Sequence, residues 1–421
     1  MDDAACVANM TQCLTDSGLK YCDAGKDICL QRGLCITSII YSNRSACICY
    51  PCYYGDTCEN EIFSRNLWTV GLPFSPAMTP KIFYVINSIL SFFIVITIIN
   101  SVLCLQTYFC SKRVRITNVG VYLIFNAIIS FLLGLMLSIQ SITSWLPQYI
   151  PEDYWKISCL IDRKFVYMSL AYMLGWSIFL IGFERMLVEC FHYSLYDSRK
   201  RSFITLTSVC IICSLTTIPG IFTLKNLSAD QLGIAGRLNI AMVTCVNYTS
   251  LGYIIDKIIL SIHVYGTFIL YIILCVVVFK HILRHRRKTV PAHTTPQNVR
   301  IILHKHRDFF IPLLASIICS TPMIVVNEIM TCAKVSESKS VPYIYLFGSM
   351  FTSLPIALSF FTFIYPANVY MTAFWKESFV GRCLRKMKTK IVCKRKKLTT
   401  LFTSTNLNLT PISTRSHELL T

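Results

Sequence analysis

Charge is scarce in this sequence, and negative charge is scarcest: 14% of the 421 residues are charged, with 21 acids against 40 bases. No paired carboxylates, no metal-ligand spacing of His and Cys, and no nucleophile beside a base can be picked out. The usual grounds for an enzyme, a resident metal or another cofactor are therefore missing. The long apolar stretches hold few acids and show no inverted repeat, so a transporter finds little support. Alternating apolar and polar strands of the kind a membrane barrel needs are absent too. No cleavable leader is visible, because the opening MDDAACVANM is acidic and lacks a long apolar core.

Hydrophobic residues dominate instead, at 54% of the chain with a mean hydropathy of +0.55. That is too greasy for an ordinary soluble domain. Charge-free runs occupy Ile82–Ser111, Ile116–Pro151, Phe165–Phe183, Ser202–Leu224, Ile258–Phe279, Phe309–Asn327 and Ser340–Trp375. At about 1.5 Å per residue, each can cross a hydrocarbon core of about 30 Å. The expected architecture is an all-α membrane protein, a seven-transmembrane helix bundle within residues 82–375. Its spans are expected at 82–109, 118–142, 165–188, 203–224, 258–279, 309–330 and 341–365.

Lys and Arg in the connections set the orientation. With the N-terminus outside, 26 of the 40 bases and six of the 21 acids fall on the inner side, which then carries +20 against −1 outside. An anionic leaflet accounts for that face, so membrane lipid is the expected partner and nucleic acid is not. The expected location is the plasma membrane, with the N-terminus extracellular and the C-terminus cytoplasmic.

Nine of the 21 cysteines lie in the first 58 residues, where they serve as disulfides only in an oxidising compartment. Cys22 precedes CLQRGLC (Cys29–Cys35) and CICYPCYYGDTCE (Cys47–Glu59). In the latter, two cysteines one apart are followed by an aromatic pair, and Gly55 stands before the last cysteine. About 40 residues cannot bury an adequate core, so crosslinks hold such a fold. Gly55 suits a turn needing positive φ. Residues 18–59, within a cysteine-rich region 1–59, resemble a small disulfide-rich EGF-like domain. The resemblance implies the pairs Cys22–Cys35, Cys29–Cys47 and Cys49–Cys58, and leaves Cys6, Cys13 and Cys52 outside the pattern. No Asp/Asn cluster precedes Cys22, so a calcium-binding variant is not expected. A rigid spacer and a binding module remain alternatives. Asn9 and Asn43 open glycosylation sequons. Residues 60–81, with Pro73, Pro76 and Pro80, read as a stiff linker.

Single residues stand out within the bundle. The run Phe165–Phe183 ends on Glu184-Arg185, a pair that lipid cannot solvate. Cys159, ahead of span three, and Cys245, in the next outer loop, both face the oxidising side. A disulfide Cys159–Cys245 would tie that loop down; the alternative is two unrelated thiols. The same loop carries sequons at Asn226 and Asn247. His263 is alone in span five, without a second ligand spaced for a metal. Pro322, in CSTP (Cys319–Pro322), is expected to bend span six, and Pro366 to break span seven.

These features meet in one ensemble: seven spans, Asn100 in the first, Glu184-Arg185-Met186 closing the third, Cys159 with Cys245, CSTP, and Pro366 followed by Tyr370 and Phe374. Over about Ile82–Arg385 the chain resembles the rhodopsin-like (family A) G-protein-coupled receptors. It departs from them in lacking an acid in span two, in having Ser320 for the usual Trp of span six, and in Met186 for an aromatic. The resemblance implies a two-state bundle that couples an extracellular ligand to a heterotrimeric G-protein. Arg185 paired with Glu184 would hold the inner end closed. On opening, span six would swing about Pro322 and Arg185 would meet the neighbourhood of Tyr370. Tyr167, Tyr172 and Trp176, with His263 and Glu328 opposite, are the candidate walls of a ligand cavity; helix packing is the plain alternative. Span three has no acid in its outer half, so a biogenic amine is not expected, and the ligand is a peptide or another small molecule. Leu238–Thr249 is expected to form a strand pair over the entrance.

Residues 376–421 are expected to hold an amphipathic helix, Lys376–Lys388, and a disordered tail in which ten of the last 24 residues are Ser or Thr. Cys383 and Cys393 are palmitoylation candidates, and a phosphorylated tail would suit an arrestin-like partner. The competing reading is an adhesion or structural membrane protein that displays the EGF-like module without signalling.

Overall fold

The computed structural model describes residues 80–145, 165–192, 199–226, 245–247, 250–289, 295–329 and 341–389, with short pieces of the head at 19–21, 29–30, 33–38, 45–49, 53–54, 57–58 and 60–61. Helices form the bulk. α1 is Pro80–Cys110, and the single turn Lys112–Arg115 leads to α2, Asn118–Trp145. α3 is Met168–Phe191 and α4 is Arg199–Thr223. α5 starts as Ser250–Leu260, passes through a π-helical turn at Ser261–Gly266 and continues as Thr267–Thr289. α6 starts as Thr295–Lys305 and continues as Arg307–Ile329. The His306 amide donates to Ile302 (2.9 Å) and the Phe310 amide to His306 (3.1 Å), so the ladder runs through the junction. α7 is Val341–Ala357, followed by a π-helical turn, Phe360–Ile364. α8 is Asn368–Glu377 and α9 covers residues 379–389.

Among the described residues, six rods are long and apolar enough to cross a membrane: Ser88–Cys110, Asn118–Ile139, Phe165–Phe191, Arg199–Phe222, Ile254–Arg286 and Arg307–Val326. The chain is thus a helical, multi-pass membrane protein. The run expected to give a seventh span at 341–365 is not one uninterrupted helix. α7 has 17 residues and contains Pro355, which has no amide to donate and whose ring crowds the preceding turn. A turn at Leu358 follows, and the Tyr365 amide then reaches back five residues to Phe360 (3.0 Å), which is π rather than α pairing.

Other limits shift too. α4 begins at Arg199, ahead of the expected 203, and takes in the basic triplet Arg199-Lys200-Arg201. The amphipathic helix expected from Lys376 starts at 379. Ser378 is extended (ψ 149°) and stops α8, and its Oγ accepts from the Gly381 amide at 2.9 Å, which caps α9.

α3 is the centre of the bundle. It packs against α2, α4, α5 and α6, while contacts α1–α2, α2–α4, α4–α5, α5–α6, α6–α7 and α7–α1 close a ring around it. Of the six membrane-length windows, that of α2 is the most buried (61%) and that of α4 the least (22%). Phe203, Ile204, Ile211, Ile212, Leu215 and Phe222 of α4 are accordingly bare. Such a face is a liability in water and suits hydrocarbon, where only the backbone needs internal partners. Inside the ring, a large apolar cluster includes Tyr108, Val278, Leu313, Ile364 and Phe374, and a smaller one Ile129, Leu133, Tyr172, Leu174 and Cys213. Gly182 sets how closely α5 and α6 approach α3: a Cβ there would lie 3.1–3.3 Å from methyls of Leu313 and Leu274.

In the head, β1 (Leu19–Tyr21), β2 (Gly33–Ser38) and β3 (Ser45–Cys49) form an antiparallel sheet in that order, and β4 (Tyr53–Tyr54) pairs with β5 (Asn60–Glu61). Cys35 lies opposite Cys47, and Cys29 is bonded to Cys47. Cys35 and Cys58 are also in disulfides. Cys22 and the Cys49 side chain lie outside the described residues, as do Asn9, Asn43, Cys159, Cys393 and the tail beyond 389. The strand pair between α4 and α5 joins β6 (Leu224–Asn226) to β7 (Cys245–Asn247), with Asn226 opposite Cys245 and Leu224 opposite Asn247. Its second strand lies within the expected Leu238–Thr249, while its first follows directly from α4.

Candidate functional site

Adjacent residues on an α-helix point about 100° apart. Glu184 and Arg185 therefore face different neighbours of α3, and the pairing expected between them is replaced by two separate sites. Glu184, only 2% exposed, accepts from Arg201 Nη2 on α4 (3.1 and 3.2 Å) and from Asn118 Nδ2 on α2 (3.0 Å). A carboxylate so deeply buried needs both donors, because lost hydration is otherwise uncompensated. The triad fixes α2, α3 and α4 together.

Arg185 turns the other way. Its Nη2 donates to Tyr370 Oη on α8 at 2.9 Å, and its Nη1 lies 3.3 Å from Asp308 Oδ2 on α6. Tyr370 is backed by Tyr108 of α1, edge-on at 6.0 Å. One turn further along α3, on the face of Arg185, Glu189 Oε1 lies 3.5 Å from His306 Nδ1. Arg307 points to the joint between α7 and α8, where Nε donates to the Pro366 carbonyl (2.7 Å) and Nη2 to Asn368 Oδ1 (2.9 Å). Pro366 does break the seventh segment: Ala367 is extended (φ −95°, ψ 109°) before α8 begins. Pro322 sits within α6, which continues through it to Ile329.

The ligand-cavity candidates divide. Tyr172, Trp176 and His263 come together, but on each other. Trp176 Nε1 donates to His263 Nδ1 at 2.9 Å, which makes Nδ1 the acceptor and leaves the ring proton on Nε2. Nε2 then donates to Thr216 Oγ1 (2.9 Å), whose hydroxyl donates to the Ile212 carbonyl (2.9 Å). Tyr172 stacks on the imidazole at 4.3 Å. The π-helical turn of α5 carries His263 into this position. The cluster bolts α3, α4 and α5 together, which is the packing alternative rather than an open wall. Tyr167 packs against the same apolar cluster. The Glu328 side chain lies outside the described residues. A groove of about 630 Å³ lies elsewhere, between α6 and α7, lined by Ile318, Thr321, Pro322, Val325, Val326 and Phe351. Cys383 is an exposed free thiol on α9, and Asn100 bonds the Ile96 carbonyl of its own helix (3.0 Å).

Sequence reasoning missed Asn118, His306, Arg307 and Asp308, and saw Arg201 only as one of the 26 inner-side bases. One signal was available: Asp308 is the only acid in the basic stretch 280–308. A lone carboxylate at the entry to an apolar helix calls for a cation on a neighbouring one. No family model matches the chain, and no characterised protein matches it in sequence.

Proposed function

We propose that the chain is a seven-transmembrane receptor of the rhodopsin-like kind, which passes binding of an extracellular ligand to a heterotrimeric G-protein by moving α6. The observation that carries this reading is Arg185: on the central helix, it is bonded at once to Asp308 of α6 and Tyr370 of α8. A cation held between elements of separate helices makes a latch with two states, and a ligand need only favour the open one. The helices ringed around α3 support the reading. The seventh span would be α7 with its π-helical turn, 24 residues from Val341 to Ile364, or about 36 Å at helical rise. These ties around Arg185 and the start of α6 form a clasp, and the end of the bundle that carries it would face the cytosol, since Lys112, Arg113, Arg115, Arg199 and Lys200 are exposed there. The head, with its Cys29–Cys47 bond, would be the extracellular EGF-like module. Arrestin-like proteins would take the tail once it is phosphorylated.

The test is nucleotide exchange on a panel of G-proteins, using membranes that hold the wild-type chain, Asp308→Asn or Arg185→Ala. Asp308→Asn should raise basal exchange several-fold, and Arg185→Ala should change or abolish it. Silence from every G-protein with every variant, together with cell attachment that depends on the head, would replace this reading with the adhesion protein.

A further inference from the structure

At the entry to its membrane-length stretch, α6 carries three consecutive polar residues, His306, Arg307 and Asp308, and each one is tied. His306 reaches Glu189 and Asp308 reaches Arg185, both on α3 (3.5 and 3.3 Å). Arg307 reaches neither. Its guanidinium spans the α7–α8 joint, with 2.7 Å to the Pro366 carbonyl and 2.9 Å to Asn368 Oδ1. The joint is where the backbone ladder fails, because Ala367 is extended and α8 restarts at Asn368. A carbonyl turned out of a helix needs a donor from elsewhere, and the planar fork of an arginine can serve two acceptors in one fixed geometry.

With Arg185–Tyr370 added, the ties close a triangle. α3 is joined to α6 by Asp308, α6 to the α7–α8 joint by Arg307, and α3 to α8 by Tyr370. We propose that Arg307 is a positioning residue that latches α6 to the joint after Pro366, so that α6 leaves only when its ties to α3 and to α7–α8 break in one movement. The proposal rests on the receptor reading for its purpose, but its geometry is independent of any G-protein. Because Arg307 and Asp308 are neighbours on one rigid turn, neither contact can open far while the other holds. The side of the triangle that does not involve α6, Arg185–Tyr370, survives the opening. Arg185 thus stays positioned after α6 has gone.

The experiment uses the full chain in lipid nanodiscs, with spin labels on unnatural residues at Arg113 and His304, both exposed near the clasp. Dipolar spectroscopy then reads the distance distribution between α6 and the α1–α2 turn. Arg307→Met should enlarge the long-distance population at least threefold with Asp308 intact, Asn368→Ala should do so less, and Arg307→Lys should recover part of the closed population. Arg307→Met combined with Asp308→Asn should open α6 further than either alone. A distribution unchanged by Arg307→Met, on samples where Asp308→Asn lengthens it, would overturn the latch. So would a lowered melting temperature for Arg307→Met with unaltered distances, since that marks a merely structural contact. Nucleotide exchange on the same samples separates the two ideas: distances that respond without any exchange leave the latch standing and remove the receptor reading.

Discussion

Arg201→Met gives the sharpest check on the buried triad. It leaves the Glu184 carboxylate, 2% exposed, with only the Asn118 amide as partner. Breaking a fully buried ion pair costs about 3–5 kcal/mol. The Arg201 side chain is 38% exposed, so water already screens part of the pair, and about 2 kcal/mol is expected. Glu184→Gln keeps the shape and one hydrogen bond and should cost about 1 kcal/mol. The double variant Glu184→Gln/Arg201→Met has no stranded charge and should cost no more than Arg201→Met alone. The coupling is then about 1 kcal/mol, against additivity within about 0.5 kcal/mol for Glu184→Gln combined with Arg185→Met. Denaturant unfolding in detergent micelles, followed by tryptophan fluorescence and circular dichroism, measures the wild type, the three single variants and the two double variants. A neutral Arg201→Met, or a coupling to Arg185 larger than that to Arg201, would refute the assignment of partners.

Three further outcomes follow from other contacts. Gly182→Leu should overpack against Leu313 and Leu274, costing about 1–3 kcal/mol in the same unfolding assay, with Gly182→Ala much milder because both neighbours are flexible side-chain ends. His192 caps α3 in the left-handed region (φ 54°), so His192→Gly should raise the melting temperature by a few degrees, for a gain of about 1 kcal/mol. Trp176→Phe deprives His263 Nδ1 of its donor and should cost about 1–2 kcal/mol, whereas removing both polar partners in Trp176→Phe/His263→Phe should cost less than the sum of the single changes.

Helix type was legible because length and absence of charge decide it: nothing but an α-helix satisfies so long an apolar backbone in lipid. Pro366 marked a true break, whereas α3 runs about two turns past the charge boundary at Glu184-Arg185, to Phe191. The ends of rods were less legible. The charge-free run of the fourth segment starts at Ser202, yet α4 reaches back to Arg199, because Arg201 finds a carboxylate on another helix. Apolar composition cannot register the π-helical turns at Ser261–Gly266 and Phe360–Ile364, since they change pairing and not hydropathy. The partners of Arg185 were not legible at all. Asp308 is 123 positions away and Tyr370 is 185, and only the ring of helices brings them to one point.

The strength of the clasp suits the movement of α6 proposed above. Four ties hold the start of α6: two to α3 and two to the α7–α8 joint. Interhelical hydrogen bonds in membranes average about 0.6 kcal/mol, and partly exposed ion pairs about 0–1 kcal/mol. The four together therefore contribute about 1–3 kcal/mol, a bias of roughly five- to 150-fold toward the closed arrangement. A ligand that binds the open arrangement better by that factor cancels the bias, and one that binds both equally does nothing, however tightly. The triad at Glu184 is different. It lies deeper and joins α2, α3 and α4 without touching α6. The movement of α6 proposed above would therefore leave the buried carboxylate paired, and the large cost of stranding it would stay out of the proposed equilibrium.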